Sequence, residues 1–413
     1  MTGSPPDHTT GPLSGLRVFD MTRVLAGPTC TQILGDLGAG VIKIERPGRG
    51  DDSRGMGPPY LTDAQGKDTA ESAYFLSVNR NKRSVTLNLT TEEGQELARR
   101  MIGKCDVVVE NFRTGALAQY GLAYDQIREA YPALVYCSVT GFGQTGPYAE
   151  RGGYDYLVQG MGGIMSVTGE PGGAPTKVGV GVSDIITGMY AAIAIQAALR
   201  HRDLTGEGQH IDMALLDSQV AWLSYVGENY LVSGEMPQRL GSQHPNIMPY
   251  QVFRASDGLM VLAVGNDAQF TRFCEFAGCP DLAADERYTT NAGRVKNRDG
   301  LTPVLADIIA SKSIAHWVEG LVGVNVPCSP INTIDQVFND PQVVARKMKI
   351  NMPHPHLSGE TMDLIASPLR LSRSPVSYRQ APPQLGEHTA EVLEELLEMD
   401  EKKMAALREK GVI

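Results

Sequence analysis

The chain has 413 residues, of which 42% are hydrophobic and 20% charged, and its formal net charge is −10. This length exceeds that of one hydrophobic core and predicts two domains. The acidic balance disfavours a nucleic acid or an anionic membrane surface as partner, so any polyanionic ligand would need a local basic site. The six cysteines are scattered without paired C-x-x-C spacing, which predicts reduced thiols and a cytoplasmic location.

The N-terminal segment 1–15, MTGSPPDHTTGPLSG, contains Pro, Gly and Thr but neither the basic region nor the apolar region of an export signal. No stretch in the chain approaches ~18 uninterrupted apolar residues, the length that a membrane span needs. We therefore expect no membrane partner.

Strand-like and helix-like segments alternate through the first half of the chain. The predicted elements are strand 16–21, helix 28–39, strand 40–46, strand 83–89, helix 91–105, strand 106–112, a helical stretch ending near Tyr131, and strand 133–139. Strands separated by helices of this length form right-handed βαβ units. The sequence thus predicts an α/β fold with a Rossmann-like, doubly wound parallel sheet, whose ligand crevice lies at the carboxyl ends of the strands.

Polar and aromatic residues stand at two of these strand ends. Arg46 follows GVIKIE, and Asn111 and Phe112 follow DVVVE. A guanidinium there can contact a phosphate, while an amide and an aromatic ring can hydrogen-bond and stack on a base. Taken singly, each residue is better explained by the ordinary return of polar side chains where a strand ends, and only the convergence of several strand ends indicates a site.

The character of the chain changes after residue 218. A helical segment and a Gly/Gln/Pro loop lead to the hairpin-like stretch 250–265, whose Ser256-Asp257-Gly258 is a turn signal. We predict a large domain that begins with residues 1–215, a smaller α+β domain at 220–330, and a return segment at 331–413 whose amphipathic helices pack on the large domain.

Three further motifs give only weak indications of a binding site. GFGQTG at 141–146 fits G-x-G-x-x-G, but Pro147 follows it directly and no helix pattern begins there, so we do not predict a dinucleotide site. His354 and His356 lie beside two prolines without a third ligand, which predicts a solvated loop and no metal site. Cys274 and Cys279 are predicted to be packed thiols.

Asp184 stands where a Val/Gly run, 178–182, meets an apolar helix pattern. By position, Ser183-Asp184 is predicted to be a helix N-cap. Glycines crowd this region, at 160, 162, 163, 179, 181 and 188, and such density lets ligand atoms approach backbone N–H groups. A carboxylate at a helix N-terminus is expected to stay ionised, so Asp184 could serve as nucleophile as well as cap.

Blocks along nearly the whole chain resemble class III CoA-transferases, the family of formyl-CoA transferase and carnitine CoA-transferase. They are 13–60, 75–89, 106–122, 136–148, 152–191, 205–223 and the LGEHTAEVL of 385–393. Between NRNKRS and HPNIMPYQVF the chain is most similar to the succinyl-CoA:glutarate CoA-transferase branch. The resemblance implies a homodimer of two interlocked chains, coenzyme A or acyl-CoA as substrate, and no permanently bound cofactor or metal.

The resemblance also implies a mechanism. Asp184 would attack the donor thioester to give an aspartyl mixed anhydride, and CoA thiolate would then form an aspartyl-CoA thioester that passes CoA to an acceptor acid. Gly160, Gly162 and Gly163 are candidates for oxyanion donors or a lid.

Carried over position by position, the resemblance implies CoA contacts from Val24, Ala26, Arg46, Leu87, Asn111, Phe112 and Ala116. The chain departs from the formyl-CoA enzymes at Thr140, Phe142 and Gln119, where those enzymes have Lys, Tyr and Arg. It also lacks their Gly-rich lid near 240–250, which argues against formate or oxalate as substrate.

The acceptor implied by the branch is a dicarboxylate such as glutarate, with succinyl-CoA as donor. Its distal carboxylate needs a cation, and the candidates are Arg23, Arg80, Arg83, Arg113 and Lys177. Two alternatives remain. One is an α-methylacyl-CoA racemase, which would need a histidine where Tyr154 precedes Asp155, because a phenol is too weak an acid for that role. The other is a non-catalytic CoA-binding protein.

Overall fold

A computed structural model describes residues 11–357, 359 and 361–413. The described chain forms two compact units. The first comprises the chain up to Ile164 together with Lys177–Leu231 and Val344–Ile413, and the second comprises Met165–Thr176 and Val232–Val343. The chain therefore leaves the first unit twice and returns to it twice.

The strands of the described chain are short. They are β1 Arg17–Asp20, β2 Gly40–Glu45, β3 Tyr60–Thr62, β4 Asp68–Ser72, β5 Lys82–Thr86, β6 Val107–Glu110, β7 Val135–Thr140, β8 His210–Ala214, β9 Tyr250–Ala255, β10 Gly258–Ala263, β11 Cys328–Pro330, β12 Lys349–Pro353 and β13 Thr361–Ile365.

The helices vary more in length. They are α1 Ala26–Asp36, α2 Ala73–Ser77, α3 Glu92–Ile102, α4 Tyr124–Ile127, α5 Asp155–Met161, α6 Ile164–Val167, α7 Val182–Thr205, α8 Leu215–Ala221, α9 Ser224–Ser233, α10 Asp267–Phe276, α11 Pro280–Ala284, α12 Asn291–Lys296, α13 Arg298–Ala310, α14 Ile314–Gly323, α15 Ile334–Asn339, α16 Pro341–Ala345, α17 Thr389–Leu397 and α18 Glu401–Glu409. Short 3-10 turns occur at Asp52–Gly55, Ala116–Tyr120 and Pro355–Leu357.

The central sheet of the first unit has six strands in the order β5-β2-β1-β6-β7-β8. Every neighbouring pair is parallel. Taken in chain order these strands follow the 3-2-1-4-5-6 sequence of a doubly wound fold, and the order reverses between β1 and β6. The predicted Rossmann-like parallel sheet is confirmed, and the loops after β1 and β6 are those that should flank a ligand crevice.

The two faces of this sheet are covered by different helices. Phe19, Ile42 and Val108 belong to an apolar cluster that also contains Val392 and Leu393 of α17. Their neighbours along the strands face the other way, into a cluster built with α1 and α7. Successive strand residues point to opposite faces, so near-continuous apolar strands such as VVVE of β6 fit a sheet that is buried on both sides.

Helix α7 is the longest helix of the described chain and packs along α1. It is also the one described helix that is long and apolar enough to cross a membrane by length and composition alone, and 56% of its most apolar window is buried inside the protein. Core helices of soluble proteins pass the same test, so this is weak support for a membrane span.

The second unit has its own antiparallel sheet, in the order β11-β10-β9. The hairpin predicted at 250–265 is confirmed as β9 and β10, which pair directly across Ser256 and Asp257. Phe253, Met260 and Trp317 lie in the apolar core of this unit, which helices α10 and α14 cover.

Candidate active site

A cavity of about 190 Å³ opens at the carboxyl edge of the central sheet, where the loops after β1 and β6 meet. Its lining residues include Arg23, Val24, Asn111, Phe112, Gly153 and Asp184. The cavity therefore lies at the reversal of the strand order, where open α/β sheets bind ligands.

Hydrogen bonds fix the loop after β1 on two sides. Asn111 accepts from the Arg23 N–H at 2.9 Å and donates to the Arg23 carbonyl at 2.7 Å. On the other side the Val24 N–H donates to Asp51 at 3.1 Å. Val24 has a φ of 71°, a left-handed conformation that is strained for a β-branched residue. The loop keeps this conformation because groups from two other loops hold it.

Two fully buried lysines form ion pairs next to that loop. Lys43 Nζ donates to Asp51 at 2.8 Å and to the Thr22 carbonyl at 2.9 Å, while Lys82 pairs with Asp20 at 3.3 Å. Burial lowers the pKa of Lys82 to about 8, with Asp20 opposing it. Burial opposes ionisation of Asp51 too, but the Lys43 ammonium holds the pKa of that carboxyl well below its ordinary value.

Asp184 is the third residue of α7, because the helix begins at Val182 with Gly181 as its N-cap. The prediction that Ser183-Asp184 caps the helix is therefore wrong. The capping oxygen comes from another helix: Asp155 Oδ1 accepts from the Ser183 N–H at 2.8 Å and from the Asp184 N–H at 3.4 Å. Since Asp155 satisfies these donors, the Asp184 side chain need not turn back onto its own backbone.

The Asp184 carboxyl makes no side-chain hydrogen bond or ion pair with any described residue. Burial, and secondarily the neighbouring Asp155 charge, raise its pKa from 3.8 to about 7. Burial thus acts against the ionisation that the position of Asp184 in the first turn of the helix favours. Sequence reasoning also missed Tyr74, whose pKa is raised to about 12 by burial and by the nearby Asp184.

Backbone at the cavity wall approaches backbone closely at Gly141 and Gly153. A Cβ built on Gly153 would lie 2.4 Å from Gly141 Cα, so only glycine fits there. The predicted oxyanion or lid glycines lie elsewhere: Gly160 is within α5, and Gly162 and Gly163 follow it, outside the cavity lining. Gly162 instead leaves room for the side chain of Gln219, because a Cβ at position 162 would lie 2.4 Å from Gln219 Cγ.

Four of the seven positions predicted to contact CoA line the cavity together with Asp184, namely Val24, Ala26, Asn111 and Phe112. Arg46 does not line it, but its guanidinium bonds at 2.8 Å to Asp52, which does. The other two positions lie apart from the lining: Leu87 is buried in the core, and Ala116 begins a 3-10 turn.

The candidate cations for a substrate carboxylate separate into two groups. Arg23 and Arg113 line the cavity. Arg80 is held by Asp36 at 2.5 Å, Arg83 by Glu395 at 2.5 Å, and Lys177 by backbone carbonyls of Val178 and Gly179. None of those three lines the cavity, because carboxylates and backbone oxygens hold them elsewhere. Arg151 also lines the cavity, and sequence reasoning did not single it out.

Apart from Gly141, the remaining motifs lie outside the cavity lining. GFGQTG is a loop between β7 and α5. The prediction of a solvated loop at His354 is wrong, since His354 is only 3% exposed. Cys274 is buried in the core of the second unit and Cys279 packs against it. Within the described residues no cluster of three or more His, Cys, Asp or Glu side chains could hold a metal ion.

The chain is similar to known proteins over most of its length. CoA-transferase family III matches residues 13–389. A succinate–glutarate CoA-transferase from Agrobacterium fabrum is 49% identical over 385 residues, covering 93% of this chain and 96% of the relative. The Homo sapiens succinyl-CoA:glutarate CoA-transferase is 41% identical over 417 residues, covering 100% of this chain and 92% of the relative.

A solved structure is also similar. The crystal structure of a CAIB/BAIF family protein from Brucella suis has a TM-score of 0.82 and 47% sequence identity, covering 94% of this chain and 100% of that one. The family match and these similarities extend over almost the entire sequence. The chain therefore belongs to CoA-transferase family III and is a CoA-transferase.

Proposed function

We propose that this enzyme transfers CoA from succinyl-CoA to glutarate, with Asp184 as the nucleophile. The donor and the acceptor are those in the names of the relatives that are 49% and 41% identical to this chain. The observation that carries the mechanism is the position of Asp184, which lines the same cavity as Val24, Ala26, Asn111 and Phe112 without a side-chain partner among the described residues.

The proposed reaction has four steps. The Asp184 carboxylate attacks the succinyl thioester carbonyl, forms an aspartyl-succinyl anhydride and expels CoA thiolate. The thiolate attacks the aspartyl carbonyl, forms an aspartyl-CoA thioester and expels succinate. A glutarate carboxylate attacks that thioester to give an aspartyl-glutaryl anhydride and thiolate, which then attacks the glutaryl carbonyl and releases glutaryl-CoA with free Asp184. No net proton is consumed.

The surroundings of Asp184 suit this chemistry. A carboxyl whose pKa is raised to about 7 is a stronger base when ionised than an ordinary aspartate. Ala26 begins α1 and Asp184 lies in the first turn of α7, so two helix N-termini meet at the cavity. Their partial positive charge would stabilise the oxyanions of the tetrahedral intermediates.

The racemase alternative finds less support. Two-base proton exchange next to a thioester needs a second group that titrates near neutrality, usually an imidazole. No histidine is among the described residues that line the cavity, and Tyr154 lies where the racemase-type histidine would be. We therefore favour CoA transfer over isomerisation.

We propose that Arg113 binds the distal carboxylate of the acceptor. Arg113 lines the cavity and forms no ion pair with the described residues, so its donors are free for a substrate. Arg113→Gln is expected to raise the KM for glutarate about tenfold, and to raise the KM for a monocarboxylate such as butyrate much less, because only glutarate loses a charged contact. Equal losses for both acids would contradict this assignment.

The covalent mechanism can be tested by intact-protein mass spectrometry after incubation with succinyl-CoA and trapping with hydroxylamine or borohydride. Wild type that is trapped before any acceptor is added should carry a modification at Asp184, and Asp184→Ala should carry none. Glutarate that is added before the trapping reagent should instead discharge the intermediate as glutaryl-CoA and leave Asp184 unmodified. Asp217→Asn is a matched control, because Asp217 is the third residue of α8 as Asp184 is of α7, but does not line the cavity. Full activity of Asp184→Ala would overturn the mechanism.

The acceptor is tested in the same reaction. Malate, itaconate, mesaconate, citramalate and oxalate are supplied in place of glutarate. If another acid discharges the aspartyl intermediate fastest, that acid replaces glutarate as the assigned acceptor, and the mechanism still holds.

We also propose that the enzyme is an interlocked homodimer in the cytoplasm, as the family resemblance implies. Large apolar side chains of the first unit support self-association: Tyr154, Tyr156 and Ile193 are 73%, 63% and 60% exposed. The six free thiols agree with a reducing compartment. Light scattering after size exclusion should give twice the chain mass, and a monomer at micromolar concentration would contradict the proposal.

A further inference from the structure

One buried carboxyl group of the described chain has no cationic partner. Six acidic side chains of that part are buried, namely those of Asp20, Asp36, Glu45, Asp51, Glu71 and Glu110. The first five each form an ion pair with a buried lysine or arginine, at 2.5 to 3.3 Å. Glu110 is 6% exposed and forms no ion pair with any described residue. A buried carboxyl without a cation costs free energy, so ion pairing does not account for the acidic residue that ends β6.

Hydrogen bonding holds the Glu110 carboxyl instead. Its Oε2 accepts from the Phe112 N–H at 2.8 Å, which closes a turn directly after the strand. Ser138 of β7 lies opposite Glu110 in the strand register, and its hydroxyl favours the ionised carboxyl by hydrogen bonding. The Ser138 Oγ also lies 3.0 Å from Nε2 of His210 in β8. We call Glu110, Ser138 and His210 the Glu110 network, which joins three adjacent strands to the Phe112 amide.

The Glu110 network does not serve to keep the carboxyl ionised. Burial raises the pKa of Glu110 to about 7, and the Asp212 charge acts in the same direction, whereas the hydrogen bonds from Ser138 and Phe112 oppose the rise. A neutral carboxyl still has a carbonyl oxygen that accepts a hydrogen bond. The contact that both protonation states can make is therefore the one with the Phe112 N–H.

The Glu110 network lies next to the cavity but outside its lining. Asn111 and Phe112 line the cavity together with Asp184, whereas the three members of the network do not. Because the backbone leaves β6 at Glu110, the turn that the carboxyl closes sets the direction of the next two residues. Asn111 then bonds both to the N–H and to the carbonyl of Arg23, at 2.9 and 2.7 Å. One carboxyl oxygen thus orients two parts of the cavity wall.

We infer that Glu110 is a positioning residue for acyl-CoA binding, because its carboxyl oxygen holds the turn that presents Asn111 and Phe112 to the cavity. The inference rests on the proposed function for the identity of the ligand. Glu110 does not touch the substrate and acts through the two residues that follow it. A side chain of similar length that cannot accept a hydrogen bond would release the Phe112 N–H, and the turn would lose its fixed geometry.

Glu110→Gln and Glu110→Met separate the hydrogen-bond acceptor from the volume of the side chain. Glutamine keeps an oxygen that can accept the Phe112 N–H, whereas methionine has a similar length and no such oxygen. Calorimetry should show the Kd of CoA about fivefold higher in Glu110→Met and near the wild-type value in Glu110→Gln. At saturating substrates kcat should stay within about twofold of wild type in both variants, because neither change reaches Asp184.

Two measurements without ligand accompany the calorimetry. Hydrogen exchange of the peptide that contains Phe112 should be faster in Glu110→Met and unchanged in Glu110→Gln. Glu110→Gln should not lower Tm at pH 8, because the amide replaces a buried charge that no cation offsets. Asp36→Asn is the matched control for this second measurement. It leaves the buried Arg80 without its charged partner, so its Tm should fall.

Three results would overturn the role of Glu110. The first is an unchanged Kd of CoA in folded Glu110→Met. The second is an equal rise of Kd in Glu110→Met and Glu110→Gln, which would assign the effect to the charge. The third is a loss of Tm and kcat with an unchanged KM for succinyl-CoA, which would assign Glu110 to the fold alone. If Glu110→Met does not fold, Ser138→Ala replaces it, with an expected rise of Kd of about twofold, and an unchanged Kd again overturns the role.

Equilibrium binding of CoA requires neither an acceptor acid nor covalent chemistry at Asp184. Failure of the glutarate assignment or of the covalent mechanism would therefore leave the calorimetric result intact. Conversely, an aspartyl adduct in wild type together with unchanged CoA affinity in Glu110→Met would reject the role of Glu110 alone.

Discussion

The charge of Asp155 should raise the pH at which the enzyme becomes active. Asp155 accepts the first N–H groups of α7 and lies beside the Asp184 carboxyl, whose pKa it helps to raise. Asp155→Asn removes that charge but keeps an oxygen that can accept the same N–H groups. The ionised, nucleophilic form of Asp184 should then persist to lower pH, and the acid limb of the activity profile should move down.

The size of the change follows from the causes of the raised pKa. At an effective dielectric of ~20, a neighbouring carboxylate opposes ionisation by on the order of 1 to 3 kcal/mol, which corresponds to about 1 to 2 pH units. Burial is the larger contributor to the rise from 3.8 to about 7, so the share of Asp155 is under half of it. We expect the acid limb of wild type at about pH 7 and that of Asp155→Asn at about pH 6.

The assay is kcat/KM for succinyl-CoA at saturating glutarate from about pH 5 to pH 9, since this parameter reports ionisations of the free enzyme. Asp217→Asn removes a carboxylate from an equivalent helix position and should leave the limb near pH 7. A limb that stays in place or moves upward in folded Asp155→Asn would refute the electrostatic argument. A wild-type limb near pH 4 would refute the raised pKa itself.

Three further predictions concern stability. Asp184→Asn should raise Tm at pH 8 but not at pH 4 in scanning fluorimetry, because a folded-state pKa above the ordinary value makes stability fall as pH rises from 3.8 through about 7. Gly153→Ala should push the backbone at Gly141 away from residue 153 and lower both Tm and kcat/KM. A wild-type Tm in this variant would contradict the close approach of the two backbone segments. Asp51→Asn leaves Lys43 buried without its partner, so urea unfolding should show a loss of about 3 kcal/mol.

The sheet was predictable because its signal is local and repeated. Apolar segments such as VVVE and VYCSVT can be buried on both faces only in a parallel sheet, and helical segments of suitable length separate the strands. The carboxyl edge followed from that topology, and with it the placement of Asn111 and Phe112 at the cavity.

The sequence could not reveal which charged side chains are already engaged. Arg80 and Arg83 stand in the same block as strand β5, yet carboxylates distant in sequence hold both, Asp36 for one and Glu395 for the other. The cap of α7 was missed for the same reason, since Asp155 reaches it from a different helix. Such pairings depend on tertiary contacts, which a single sequence read by pattern does not contain.

The strained loop at Val24 connects the stability of the fold with the affinity of the cavity for its ligand. Its left-handed backbone is imposed during folding by Asn111 and Asp51, so a ligand meets a wall that is already rigid and loses no affinity to ordering it. Substitutions that loosen the buried lysine–aspartate pairs beneath the loop would consequently weaken ligand binding at a distance. Stability and ligand affinity should therefore fall together in variants of these buried lysine–aspartate pairs.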